Sequence, residues 1–277
     1  MNDYVRTAVL LILVLLFLTA GSAGAQEVIT LSGTGTGLGT MKRMIAAFEA
    51  ATPGIKVRML PSVGSTGAIK AVDKGALDIG LNGRPLKPEE RALNIRVIDY
   101  ARTPFVFAVN QGVGETNITP DEAVRIYRGE FTAWKSGERV RLVLRPAHEA
   151  DTLIARAISP ELDAAMAVAL GREGMMMAAT NQECHDMVAH TPGGIGLSSL
   201  TQIMTEEHRV KPLSWNGVAP TVGNLKNGTY PLVKILSLIS KPDPKPPVRA
   251  FLRFIGSPLG RKILESTGNL PIPLPRL

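Results

Sequence analysis

A chain of 277 residues, 45% hydrophobic and 20% charged, has ordinary globular composition and is long enough for one large domain or two lobes. Its formal charge of +7 favours anionic ligands or an anionic membrane surface. Only 5% of residues are aromatic, however, and no dense Lys/Arg stripe is interleaved with them, which argues against nucleic acid as a partner. The single cysteine, Cys184, excludes an intramolecular disulfide.

Met1–Thr7 carries Arg6, Ala8–Ala20 is an almost unbroken apolar run, and Ala23-Gly24-Ala25 offers a small-x-small cleavage site. That is the pattern of a secretory signal peptide over residues 1–25, cut before Gln26. The apolar run is short for a membrane span of ~20 residues. No Cys follows it, which argues against a lipid anchor. Asp3 and Arg6 cancel, so the mature, exported chain keeps the +7 charge.

The first element after the leader is a β-branched apolar run, Val28, Ile29 and Leu31, that stops at Ser32-Gly33-Thr34-Gly35-Thr36-Gly37-Leu38-Gly39. Helical periodicity follows in Met41, Met44, Ile45 and Phe48. The spacing predicts a strand, a tight glycine loop and a helix N-terminus. Such a loop either serves as a plain hydroxyl-capped connection or presents N–H groups and the helix dipole to an anion. Gly-x-Gly-x-x-Gly fails in both registers, at Leu38 and at Thr40, and no Lys precedes Lys42. Neither a dinucleotide fingerprint nor a P-loop is present, and no cofactor is expected.

A second unit of the same build follows: Ile55, Val57 and Met59 alternate as a strand, then Gly64-Ser65-Thr66-Gly67 leads into Ala68, Ile69, Ala71 and Val72. Ala76–Leu81 reads as a short strand ending in a turn at Asn82-Gly83-Arg84-Pro85, and Lys87-Pro88-Glu89-Glu90 begins a helix. Phe105–Val109 is an apolar strand long enough to cross between lobes. Thr119-Pro120-Asp121-Glu122 is a capped helix start. Val140, Leu142 and Leu144 point at Arg145, and Pro146–Thr152 leads into a helix with acids in the loop. Gly193–Leu197 is a short strand, Tyr230–Ile239 a second long apolar strand beside Phe105–Val109, and Val248–Ile255 and Leu259–Ser266 are closing helices. Alternating strands and helices argue for an α/β, parallel-type sheet.

The assembled pattern resembles the phosphate-binding component of bacterial phosphate ABC transporters over essentially the whole mature chain. The resemblance is carried by Leu31–Thr36, Gly64–Lys70, Leu77–Gly80 with Arg84-Pro85-Leu86, Ile126–Trp134, Pro192–Gly196, and Tyr230-Pro231-Leu232 with Phe251–Phe254. It implies a two-lobed periplasmic-binding-protein fold (type II-like), with two hinge strands and a ligand cleft between the lobes. The lobes would be 26–104 with a return at 219–277, and 105–218. It further implies a monomeric periplasmic protein without catalysis that binds phosphate or a related oxyanion and delivers it to an ABC transporter permease. An altered ligand, with a role as periplasmic sensor or partner protein, is the alternative.

The resemblance places ligand contacts at Ser32, Thr34, Gly35, Thr36, Gly37 and Leu38 in the first loop and at Ser65 and Thr66 in the second. Arg84 and Arg145 complete the basic side, with Glu149, Ala150, Asp151 and Thr152 where the family has Ser-Gly-Thr. The family's acceptor Asp is replaced by Gly83 beside Arg84. A carboxylate ~5 Å from a bound anion costs ~3 kcal/mol at an effective dielectric of 20, about 100-fold in affinity. Three readings of the acids stay open. Asp151 caps the following helix and points away, Glu149 or Asp151 accepts the hydrogen of a protonated oxyanion, or the ligand is larger or partly cationic.

Glu183-Cys184-His185-Asp186 with His190 has metal-ligand residue types but no supporting spacing, and no metal is expected. Met175-Met176-Met177 reads as core or a surface turn, and His148 beside Glu149 lacks any nucleophile motif that would make an acid/base pair useful.

Overall fold

The computed structural model describes residues 27–206 and 209–275, so the expected leader peptide lies outside the described residues. Three parallel strands start the chain: β1 (Glu27–Gly33), β2 (Ile55–Met59) and β3 (Ile79–Asn82). They are joined by α1 (Gly35–Ala51) and α2 (Gly64–Asp73). Where a helix was expected from Lys87, only a 3-10 turn forms at Pro88–Ala92. The Glu90 carboxylate there takes hydrogen bonds from the Lys87 N–H and from Arg84, which ties the turn back on itself.

The chain then enters β4 (Arg96–Asn110), a 15-residue strand that runs through both halves of the molecule. After it come β5 (Asn117–Ile118), α3 (Pro120–Arg128), β6 (Arg141–Leu144), α4 (Ala150–Arg156) and α5 (Pro160–Leu170). The chain continues through β7 (Met176–Met177), α6 (Asn181–His190), β8 (Gly194–Ser199), α7 (Leu200–Thr205), β9 (Val210–Pro212) and β10 (Ser214–Trp215). It closes with α8 (Val222–Lys226), β11 (Val233–Ser240), α9 (Pro246–Ile255), α10 (Pro258–Ser266) and β12 (Leu270–Pro271).

The main sheet has the order β2-β1-β3-β11-β4-β8-β6-β7. Its two parallel wings are joined by antiparallel pairing of β4 with β11 and β8, so the expected second long strand does lie beside the first. β11 meets the first half of β4, up to Val233 opposite Pro104, and β8 meets the second half from Phe105 onward. The two strands therefore form the bridge between lobes. Each lobe has its own apolar core. In one, Phe48 packs edge-on against Phe251 at 4.9 Å, with Ile29, Leu31, Met41 and Leu238 around them. In the other, Phe107 stacks on Trp215 at 5.4 Å among Tyr127, Leu144, Ile195 and Leu197. Tyr230 and Leu232 pack on this second core, so the chain stays with it past residue 219 and crosses back only as β11 begins.

Candidate functional site

β1 ends at Gly33, where φ is 152° and a Cβ would stand 2.1 Å from the Leu81 carbonyl oxygen. Only glycine lets the chain turn flush against β3 and start α1 two residues later. The glycine-rich stretch expected as a tight loop before the helix is therefore mostly helix itself, because Gly35, Gly37 and Gly39 lie inside the first turns of α1. Their lack of side chains serves close packing. A Cβ at Gly35 would come 2.3 Å from the Gln182 side chain, and one at Gly39 2.2 Å from the Thr205 hydroxyl. The N-terminal turns of α1 thus lie against α6 and α7 of the opposite lobe.

Two helix starts of the first lobe, α1 at Gly35 and α2 at Gly64, lie near the start of α4 at Ala150: Lys234 links Thr36 to Asp151, and Glu149 approaches Gly64. Lys234 sits on β11 opposite Thr103, with 0% of its surface exposed. Its ammonium donates to the Thr36 hydroxyl at 2.7 Å and is ion-paired with Asp151. The Asn181 amide donates to the other Asp151 oxygen at 2.5 Å. Burial alone would raise the Asp151 carboxyl, but the Lys234 and Arg145 charges and the two hydrogen bonds outweigh it and leave it below the ordinary value. Asp151 is therefore not a helix cap pointing outward. Glu149 holds the N-cap position of α4 without a side-chain cap bond, and Asp151 turns inward because buried cations face it.

Arg145, 3% exposed, donates from Nη2 to Glu149 at 2.9 Å. Its Nε and Nη1 are buried with no hydrogen-bond partner among the described residues. Glu149 reaches across to α2, each carboxylate oxygen 3.7 Å from where a Gly64 Cβ would be. His148 lies on the surface, 3.5 Å from Glu149. Arg84 is held within its own lobe, forked onto Glu90 with two contacts of 2.7 Å and donating to Thr66 at 2.8 Å.

The remaining expected contacts divide by role in the structure. The Ser32 hydroxyl donates to the Pro61 carbonyl and Ser65 accepts from the Gly83 N–H, so both brace the cleft wall from behind. Thr34 is the buried N-cap of α1, beside Gly83. Gly37 faces Tyr100 and Leu81, and Leu38 packs on the first core. Ala150 opens α4, and the Thr152 hydroxyl donates back to the Arg145 carbonyl at 3.1 Å.

Sequence reading did not single out Lys234, Asn181 or Gln182. Gln182 donates to the Gly35 carbonyl at 3.0 Å and to Glu206 at 2.6 Å, stitching the lobes together. Lys234 had a visible signal: it is the one charge inside the apolar run Leu232–Ile239, on the period-2 face with Leu236 and Leu238. The Cys184 cluster does not converge on a point. Cys184 lies in an apolar core with its thiol pushed up by burial to about 12, His185 is buried against Ser198 and Glu206, and His190 is on the surface with Asp186. Met175 and Met176 pack on cores while Met177 is exposed.

This geometry can be set beside known proteins. The family model described as a PBP superfamily domain matches residues 19–258. A phosphate-binding protein PstS of Bacillus subtilis (strain 168) is 25% identical over 263 residues, covering 91% of this chain and 84% of the relative. A protein of Clostridium perfringens, provisionally described as a phosphate ABC transporter substrate-binding protein and solved with bound phosphate, superposes with a TM-score of 0.77. That pair shares 19% identity and covers 89% of this chain and 100% of the other. An ABC-type phosphate transport receptor of Vibrio cholerae gives a TM-score of 0.63 at 23% identity, covering 87% of this chain and 99% of its own. At these identities the solved structures establish the fold: two α/β lobes around a cleft. With two such lobes, a bridge of β4 and β11, and a family model that spans most of its length, the chain belongs to the PBP superfamily.

Proposed function

We propose that this protein is an exported, monomeric solute-binding protein that holds phosphate or a related oxyanion in the interlobe cleft and delivers it to an ABC transporter permease, without turnover. The lobes in this reading are 26–104 with the return from β11 onward, and 105 up to the start of β11, and closure comes from both contributing to one ligand. The observation that carries the reading is Arg145: a buried guanidinium beside the cleft with Nε and Nη1 unsatisfied among the described residues. A guanidinium forks onto oxyanion oxygens, and leaving two of its nitrogens dry and unpaired is costly. Two longer helices, α1 and α2, start at the same place, where their N–H groups favour negative charge. The names of the relatives point to the same ligand class.

The test is calorimetric titration of ligand-stripped protein with phosphate, and with sulfate and arsenate as comparisons. One-to-one binding that weakens by about 100-fold or more in Arg145→Ala is expected, since two charge-assisted hydrogen bonds at about 1.5 kcal/mol or more each are lost. No heat from a folded sample at millimolar anion would sink the reading.

A further inference from the structure

Beside the charged cluster lies an interlobe cavity of about 1050 Å³. One wall is the loop Asn82–Lys87, and others come from β11 and the neighbouring part of β4, from α4 and the chain leading into α5, and from Trp215. The cavity is largely apolar. Four of the ten large apolar side chains that are exposed among the described residues, Val97, Leu153, Val233 and Ile235, converge on it. Scattered singly, exposed apolar groups need no explanation, but gathered in one concave site they mark a ligand surface.

The cavity and the charged cluster share walls. On β11 the side chains alternate: Lys234 turns to Thr36 and Asp151, and its neighbours Val233 and Ile235 turn to the cavity. On α4, Asp151 and Thr152 are buried in the cluster, while the next residues, Leu153 and Ile154, line the cavity. Gly83 belongs to both. It lines the cavity, and a Cβ there would stand 2.8 Å from Lys234 Cε and 3.4 Å from the Thr34 hydroxyl. With no side chain at Gly83, nothing projects from this position to block the seam.

The charges in the cleft also bear on the ligand. Arg84, Arg145 and Lys234 are each already matched by a carboxylate: Glu90, Glu149 and Asp151. At these three cations charge attraction alone therefore does little to hold a small bare anion, whereas apolar burial beside the oxyanion locus adds affinity of its own. We infer that the ligand is a substituted oxyanion, an alkyl or aryl phosphate or phosphonate, whose head group meets Arg145 and whose organic group passes Gly83 into the apolar cavity. This inference rests on the oxyanion reading above and narrows it.

The experiment compares inorganic phosphate with methyl, ethyl and n-butyl phosphate, and with n-butylphosphonate, on the same ligand-stripped protein. Affinity should rise about fourfold for each methylene buried, so that butyl phosphate binds at least tenfold tighter than inorganic phosphate and butylphosphonate follows it. Ile235→Asp, at a half-exposed position, should bring the butyl and methyl esters to within threefold of each other. Val97→Asp, on the neighbouring strand, gives the same readout should Ile235→Asp fold poorly. Inorganic phosphate binding as tightly as butyl phosphate, or tighter, would overturn the inference and leave the oxyanion reading standing. No binding of any of these anions by folded protein would overturn both.

Discussion

Asp151 and Lys234 form a buried ion pair at the centre of the molecule, and removing one partner differs sharply from removing both. Asp151→Asn leaves the Lys234 ammonium buried and uncompensated, which costs about 3–5 kcal/mol. Thermal unfolding should show it as a fall of roughly 10 °C at neutral pH, given a few degrees per kcal/mol for a chain of this size. Replacing both, with Asp151→Leu and Lys234→Met, should recover most of that loss, because a matched apolar pair removes the desolvation penalty along with the attraction. A double variant as unstable as the single one would show that the pair does more than balance charge. The same Asp151→Asn change takes a negative charge out of the cleft. In the fraction that folds, oxyanion affinity should therefore rise by tenfold or more, about 1.4 kcal/mol, as read by titration calorimetry.

At the scale of elements, the helices show two kinds of N-terminal sequence with different purposes. α3 begins as a capping box, with the Thr119 hydroxyl accepting from the Glu122 N–H and the Glu122 carboxylate taking the Thr119 N–H. Thr119→Ala should cost ~1 kcal/mol of stability and leave ligand binding untouched. α1 begins instead with alternating glycines and no side-chain cap bond. A methyl at Gly39 would drive into Thr205 of α7, whose hydroxyl is held by the Thr201 carbonyl at 2.7 Å. Gly39→Ala should destabilise by about 1–3 kcal/mol through overpacking, despite the higher helix propensity of alanine. Adding Thr205→Gly should relieve much of it. A Gly39→Ala variant at wild-type stability would mean that the lobes separate there without cost.

The whole molecule is two cores held face to face by polar groups. Thr40 and Thr201 hydroxyls share a bond of 2.8 Å, Asn269 donates to Thr201 at 2.8 Å, Gln182 spans to Gly35, and Lys234 joins both sides at the bridge. Several of the carboxylates in this framework titrate below their ordinary values. Glu206 is pushed up by burial but held down by His185, Gln202 and Gln182; Glu90 is likewise raised by burial and brought down by Arg84. A depressed carboxyl contributes stability that is complete above its unfolded value near 4 and is lost as pH falls through the folded value. Wild-type melting temperature should thus stay level through the neutral range and drop steeply below about pH 4. The Asp151→Asn curve should converge on it there, since the variant has no carboxyl at 151 left to protonate. Parallel curves down to pH 2 would remove Asp151 from this account.

What local sequence determined was the succession of elements. β-branched alternation, 3.6-residue periodicity and Pro-led helix starts are consequences of each residue's own backbone and side-chain preferences, so β1, α2, α3, β6 and the β4–β11 pair were legible from the chain alone. The hydroxyl-bearing glycine segments were legible as places where a strand hands over to a helix, whereas Arg145 stood out only through the family resemblance. Tertiary structure alone decided which groups meet. Gly35 and Gly39 read as loop residues locally, and only the approach of α6 and α7 from the other lobe makes them packing positions inside a helix. Asp151 could be read locally as an outward cap or as a group facing the ligand, and only Lys234, 83 residues further along, turns it inward. Ion pairs and cavity walls are built from residues distant in sequence, and their energies depend on burial that no local window contains. That is why the fold could be read before the charges in its cleft could be paired.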